Sequence, residues 1–258
     1  MTRAKSDLAT RLGVAIALIG LTFAALWLGG LAFWLLAVVG ALLMMSEWAE
    51  LFGSPEKEKR LAQYALSVPL AAMAPGLALG PGFFTLGLVF GAAFFIGAVT
   101  RRPPLAWGVL YIGIPVLSLL VLREHPQGLL LTFWAMALVW AADSGAYFAG
   151  RAIGGPKLAP SISPNKTWAG FIGGLIAAGA FGALLVVLFD LPVALAVATP
   201  VLAVLAQLGD LYESNLKRRA GVKDTGNILP GHGGILDRLD SLVAVAPAAA
   251  LLVLALAR

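Results

Sequence analysis

The chain has 258 residues; 60% of them are hydrophobic and only 12% are charged, against about 25% charged in an ordinary soluble domain. That composition excludes a soluble globule, a disordered chain and a disulfide scaffold, and the absence of cysteine removes thiol catalysis and thiolate metal ligation. The net charge of +5 is, in so apolar a chain, first of all a topology signal.

The charges are clustered. Positions 12–46, 61–100, 103–122, 125–142, 167–189, 191–209 and 241–257 contain no Asp, Glu, Lys or Arg. A membrane-spanning helix needs about 20 apolar residues, so the two longest tracts each hold two spans. Gly29-Gly30 divides the first, and Gly80-Pro81-Gly82 the second. The expectation is an all-α polytopic integral membrane protein of about nine helices: 11–29, 31–50, 61–79, 82–99, 105–122, 128–149, 167–189, 192–217 and 236–257. Basic residues before the first apolar run also resemble a removable leader, but no convincing cleavage site follows and the span count works without one.

Assigning the N-terminus and the loops after helices two, four, six and eight to one side gives that side every Lys and Arg except Arg123 and Arg258. This bias makes it the cytoplasmic side. The N-terminus is then inside and the C-terminus outside.

A charge within the bilayer costs at least about 2.5 kcal/mol, and such residues usually face a functional cavity. Asp143, Asp210, Glu213, Asp237 and Asp240 all lie near predicted helix ends on the cytoplasmic side, whereas the outer loops hold only Glu124 and Asp190. Asp210, Glu213, Ser214 and Lys217 are spaced i, i+3, i+4 and i+7, so they share one helix stripe. An amphipathic helix end emerging into water would give the same spacing, with Glu213 and Lys217 as an i,i+4 pair. Asp237, Asp240 and Ser241 repeat the one-face pattern after Gly231, Gly233 and Gly234. Two acidic stripes joined by a basic, glycine-rich turn supply carboxylates for a hard divalent cation and bases for phosphates. Those are the components of phosphoryl or nucleotidyl transfer.

The segment Ser214–Asp240 resembles the signature of the phosphatidate cytidylyltransferases, also called CDP-diacylglycerol synthases. Its matching residues include Ser214, Lys217, Arg218, Lys223, Asp224, Gly226, Pro230, His232, Gly233, Gly234, Asp237, Arg238 and Asp240. Gly209-Asp210-Leu-Tyr-Glu213, Ala142-Asp143-Ser-Gly-Ala-Tyr147-Phe-Ala-Gly150-Arg151 and Ser163-Pro-Asn-Lys166-Thr-Trp168 are similar to the family as well. Ala169 is a departure, standing where Glu or Gln is expected. The chain reads as one membrane domain in which residues 126–258 carry the motifs and 1–125 follow the family only as a hydrophobic pattern.

The resemblance implies an enzyme of phospholipid biosynthesis, in a bacterial inner membrane, that joins CTP and phosphatidate into CDP-diacylglycerol. It implies Mg²⁺ as cofactor, with Asp210 and Asp237 as leading ligands and Glu213 beside them, and a second cation such as K⁺. Lys217, Lys223, His232 and Arg238 are the further candidates for catalysis. Asp143, Lys166, Ser214, Arg218, Asp224, Gly233, Gly234 and Asp240 are the candidates for substrate binding. Backbone N–H groups of Gly231, Gly233 and Gly234 would approach phosphate at the start of the ninth helix. The basic residues equally satisfy the cytoplasmic charge bias, and His125, in an outer loop, carries no functional reading. Trp and Tyr are expected mostly at the lipid face or the membrane interface, not as a base-stacking set.

The expected partners are CTP, phosphatidate and the lipid bilayer, with no nucleic acid. The resemblance also suggests a homodimer, and Gly170, Gly173 and Gly174 suit close helix contact within or between chains. The alternatives are a CTP-dependent polyprenol or phytol kinase and, in a different class, an ion-coupled transporter. The transporter is disfavoured by the lack of an inverted repeat and by acids that cluster at one surface.

The charge bias yields a test that the cysteine-free chain makes direct. A cysteine introduced at Gly80 is expected to react with an impermeant thiol reagent added outside intact cells, and one at Arg101 to be protected. Reversed labelling at both positions would overturn the orientation.

Overall fold

The structure is a computed structural model that describes residues 2–226, 228 and 233–256, with residues 2–12 described by backbone alone. Among the described residues the elements are α1 Thr2–Leu28, α2 Gly30–Leu51, α3 Glu56–Ala72, α4 Phe83–Thr100, α5 Pro103–Glu124, α6 Gly128–Ile153, β1 Lys157–Ala159, β2 Ser163–Thr167, α7 Trp168–Phe189, α8 Val193–Arg219 and α9 Leu236–Leu256. Seven of these helices, α2 and α4 to α9, are long and apolar enough to cross a membrane. The protein is a polytopic all-α membrane protein. In α1 the apolar stretch is the shorter Gly13–Leu28, so the expected nine spans are approximate.

Both expected divisions of the long apolar tracts occur. Gly29 and Gly30 take φ of 62° and 47°, a left-handed conformation open to glycine at little cost, and α1 ends there as α2 begins. The helix expected over 61–79 starts earlier and stops earlier. Its first five residues, Glu56 to Arg60, are all charged, and acids in a first turn favour the helix N-terminus. Lys59 ties this start to α2 through Glu50 at 3.0 Å while also pairing with Glu56 at 2.7 Å. Hydropathy alone, scanning for an uncharged run, misses that turn.

The chain forms two compact units. The first comprises Met1–Val121 together with Val222–Leu239, and the second Leu122–Gly221 together with Asp240–Arg258. In the first unit, α2 packs on α3 and α3 on α4. Its core centres on Trp48, which is fully buried, donates its indole N–H to the Pro104 carbonyl at 2.8 Å and packs against the Tyr111 ring at 4.8 Å. Trp48 and Trp134 thus depart from the expected lipid-facing set, whereas Trp27, Trp107, Trp140 and Trp168 are exposed on the apolar surface.

In the second unit α6 and α7 lie side by side, with α8 packed on α7. Small residues make the approach possible. A β-carbon added at Gly174 would stand 2.8 Å from the Ala142 carbonyl oxygen, and one at Gly170 2.8 Å from that of Ala146. The glycines that the sequence offered for close helix contact therefore pack within one chain. Trp134 and Thr199, both fully buried, join α6 to α8 through an indole-to-hydroxyl hydrogen bond of 3.0 Å.

The hairpin β1–β2 was not evident from hydropathy. Its strands are antiparallel, pairing Lys157 with Thr167 and Ala159 with Ser163. β2 runs directly into α7, whose N-cap is Thr167: its hydroxyl accepts the Gly170 N–H at 3.1 Å.

The α6–α7 contact predicts the response to added bulk. Gly174→Val is expected to force the helices apart and lower stability by about 1–3 kcal/mol, measured by unfolding in detergent. Gly20→Val, where a β-carbon meets nothing within 4 Å, should leave it nearly unchanged.

Candidate active site

The second unit contains a cavity of about 500 Å³ whose lining includes Asp143, Tyr147, Arg151, Asn165, Lys166, Gln207 and Asp210. Three local decisions build it. The last three turns of α6 carry Asp143, Tyr147 and Arg151 at i, i+4 and i+8, one face of the helix. β2 delivers Lys166 immediately before the Thr167 cap of α7. α8 supplies Gln207 and Asp210 before its basic end at Lys217, Arg218 and Arg219.

At the polar end of this cavity Lys166 Nζ contacts Asp210 Oδ2 at 2.6 Å, and the Ser214 hydroxyl donates to Asp210 Oδ1 at 3.2 Å. Asp143 and Asp240 both lie within electrostatic reach of Asp210 and of each other. Lys166 offsets Asp143, and Lys217 offsets Asp240. Four carboxylates, Asp143, Asp210, Glu213 and Asp240, thus share the two ammonium groups of Lys166 and Lys217, an acid excess that favours a cation. Glu213 is fully buried and held by Lys217 Nζ at 3.0 Å. The Arg218 guanidinium donates to the Ile162 carbonyl at 3.4 Å, linking α8 to the hairpin loop.

The remaining candidates lie in the first unit. The Asp237 carboxylate caps its own helix: Oδ2 accepts the N–H groups of Gly234 and Thr225, each at 2.9 Å. The Gly234 N–H, expected to approach phosphate, therefore donates to a carboxylate. Gly233 takes φ of 80°, and a β-carbon there would stand 3.0 Å from Asp237 Oδ2, so conformation and space both require glycine. Lys223 and Asp224 line a polar hollow of about 590 Å³ with Glu50, Thr225, Gly226 and Ile228. Arg238 is exposed in the first turn of α9. His232 and Gly231 lie outside the described residues. His125 accepts the Gln127 N–H at 3.2 Å within the α5–α6 turn, consistent with a local role.

Two residues escaped the sequence reading. Gln207, almost buried at 5% exposure, lines the cavity one turn before Asp210. Glu47, 1% exposed near the end of α2, accepts the backbone N–H groups of Ile235 at 2.9 Å and Leu236 at 2.8 Å. An acid between Met45 and Trp48 in an apolar helix was the available signal, but a search for uncharged tracts stops at Ser46 and passes over it.

Among the described residues no three His, Asp or Glu side chains converge to form a metal site alone. Mg²⁺ does not require such a cage. It keeps several waters and commonly takes one or two carboxylates plus substrate phosphates. Asp210, with an acid excess around it and open volume beside it, suits that mode.

The Lys166–Asp210 contact can be tested directly. Both side chains are mostly shielded, at 19% and 28% exposure, and removing one partner of a shielded pair leaves a charge uncompensated. Lys166→Met is expected to lower stability by about 1–3 kcal/mol, and adding Asp210→Asn to recover most of it. Additive losses in a thermal-unfolding double-mutant cycle would show that the two do not interact.

The cytidylyltransferase family profile matches residues 9–256. The chain is 44% identical over 251 residues to a phosphatidate cytidylyltransferase of Brucella suis biovar 1 (strain 1330), covering 93% of this chain and 91% of that protein. It is 48% identical over 142 residues to one of Bacillus subtilis (strain 168), covering 54% of this chain and 53% of that protein. A third, from Haemophilus influenzae, is 48% identical over 131 residues, covering 47% of this chain and 44% of that protein. The Brucella similarity extends through the N-terminal helices, where only a hydrophobic pattern was legible. With the profile spanning nearly all its residues, the chain belongs to the cytidylyltransferase family.

Proposed function

We propose that the protein transfers the cytidylyl group of CTP to phosphatidate, forming CDP-diacylglycerol and pyrophosphate. The observation that carries this reading is the cluster of Asp143, Lys166 and Asp210 around one cavity, in a chain so similar to phosphatidate cytidylyltransferases. A phosphate oxygen of phosphatidate forms a bond to the α-phosphorus of CTP. The bond from that phosphorus to the bridging α–β oxygen breaks, and its electron pair leaves with pyrophosphate. A phosphate monoester is already largely ionised near pH 7, so no strong general base is required.

Catalysis in such a reaction is mainly positioning and charge neutralisation. Bound Mg²⁺ would neutralise triphosphate charge as it develops on the leaving group. Asp210 is the proposed ligand from the second unit. Lys166, now paired with Asp210, would turn to phosphate oxygens once a cation shares that carboxylate. Lys217, Arg218, Lys223 and Arg238 are proposed to meet the triphosphate or the lipid phosphate, and Asp240 to keep Lys217 oriented. The site faces the cytoplasm in this reading, the side that supplies CTP, and the protein resides in a bacterial inner membrane. A second cation such as K⁺ and a homodimer belong to the same proposal.

Purified protein supplied with phosphatidate and CTP labelled at either the α- or the γ-phosphate tests the reaction. Label from the α-position is expected in lipid; label from the γ-position would identify a kinase, and none from either would remove both readings. Asp210→Asn keeps shape and one oxygen but loses the charge. It is expected to lower kcat/KM about 100-fold and to shift the Mg²⁺ titration upward. The same titration on Asp237→Asn tests the second expected ligand. Wild-type turnover and an unchanged Mg²⁺ midpoint in both variants would dismiss the carboxylates as the metal site.

A further inference from the structure

Glu47 belongs to α2, yet nearly everything its carboxylate touches lies some 180 residues further along the chain. Oε1 accepts the Ile235 N–H at 2.9 Å, Oε2 accepts the Leu236 N–H at 2.8 Å, and the Thr225 hydroxyl stands 3.4 Å from Oε2. The surrounding chain is moulded to it: a β-carbon at Gly226 would fall 2.9 Å from Oε1, and one at Gly234 2.7 Å from Oε2. These contacts all lie within the first unit.

Thr225 couples this carboxylate to Asp237. Its hydroxyl meets Glu47, while its N–H donates to Asp237 Oδ2 at 2.9 Å. Asp237 in turn accepts the Gly234 N–H, beside the Ile235 and Leu236 N–H groups that Glu47 holds. Two carboxylates from distant parts of the sequence therefore satisfy four backbone N–H groups at and before the start of α9. A carboxylate offers two acceptors to two separate donors, whereas an amide offers one and opposes the other with its own N–H.

We propose that Glu47 is a positioning residue for the transfer reaction, anchoring Val222–Leu239 to α2 so that Lys223, Asp237 and Arg238 hold one arrangement toward the substrate phosphates. The proposal rests on the nucleotidyl-transfer reading. Glu47 needs no contact with substrate; it acts through Thr225 and the first turn of α9. A misplacement of about 1 Å in groups that orient reactants can cost about 100-fold in rate.

The test uses the full chain in detergent, with a nitroxide at Ile228→Cys, an exposed position in the same segment and the sole thiol in an otherwise cysteine-free protein. In this labelled background Glu47→Gln is expected to increase label mobility and to lower kcat about 10- to 100-fold. KM for phosphatidate should change little, and the unfolding temperature should fall only modestly, by the loss of one buried acceptor. A purely structural role would lower the unfolding temperature and leave the kcat of the folded fraction intact. Gly226→Ala provides a second perturbation, because it presses on Glu47 Oε1 without removing the charge. If Glu47→Gln does not fold, Gly226→Ala alone decides by the same measurements. Unchanged mobility, or a kcat within about twofold of the parent, overturns the proposal. Failure of the labelled parent and the wild type alike to move α-label into lipid overturns the transfer reading, and with it the catalytic part of this one.

Discussion

A carboxylate in a membrane-spanning helix needs compensation close at hand, since hydrocarbon offers none. The second unit supplies ammonium groups: Lys166 for Asp210 and Lys217 for Glu213. The first unit supplies backbone N–H groups at a helix start, for Glu47 and Asp237. The distinction has chemical consequences. A lysine can leave its carboxylate for a phosphate when a metal arrives, so a lysine-paired acid can serve as an exchangeable ligand. An acid fixed by peptide N–H groups alone, as Glu47 is by those of Ile235 and Leu236 with the Thr225 hydroxyl beside them, is held in place and suits a positioning role.

Close packing sets where the exchangeable acids can stand. α6 and α7 approach so nearly that Gly170 and Gly174 leave no room for a side chain against the Ala146 and Ala142 carbonyls. That approach sets Asp143, one residue after Ala142, against the same cavity as Lys166 at the head of α7. In a bilayer, where lipid tails are as apolar as Leu, van der Waals contact between small residues is a main source of helix association. The polar site is thus placed by the least polar surfaces in the unit.

Much of the fold was legible because a charge-free tract is a direct physical statement about hydrocarbon. The breaks at Gly29-Gly30 and near Pro81 were readable for a similar reason, glycine and proline being poor continuers of a helix. The start of α3 was hidden because Glu56 to Arg60 belong to a helix that begins outside any apolar run. The hairpin was hidden because Lys157–Ala159 and Ser163–Thr167 are too short for alternation to declare itself. Within the site, Asp143, Lys166 and Asp210 could be nominated by type and motif. Their shared cavity could not, since it depends on how α6, α7 and α8 pack. Glu47 was the hardest to find, because its meaning lies in donors that no local pattern connects with it.

The separation of those donors in the sequence bears on how the protein is made. During synthesis α2 enters the membrane long before residues 235 and 236, its eventual N–H donors, leave the ribosome. Until then the Glu47 carboxylate must be protonated, hydrated near the interface or shielded by another protein. The first unit is closed only when Val222–Leu239 returns to it, so its assembly waits on nearly the whole chain. A nascent chain halted before α9 would carry every apolar span but the last and an acid with none of its final donors, a natural handle for membrane quality control.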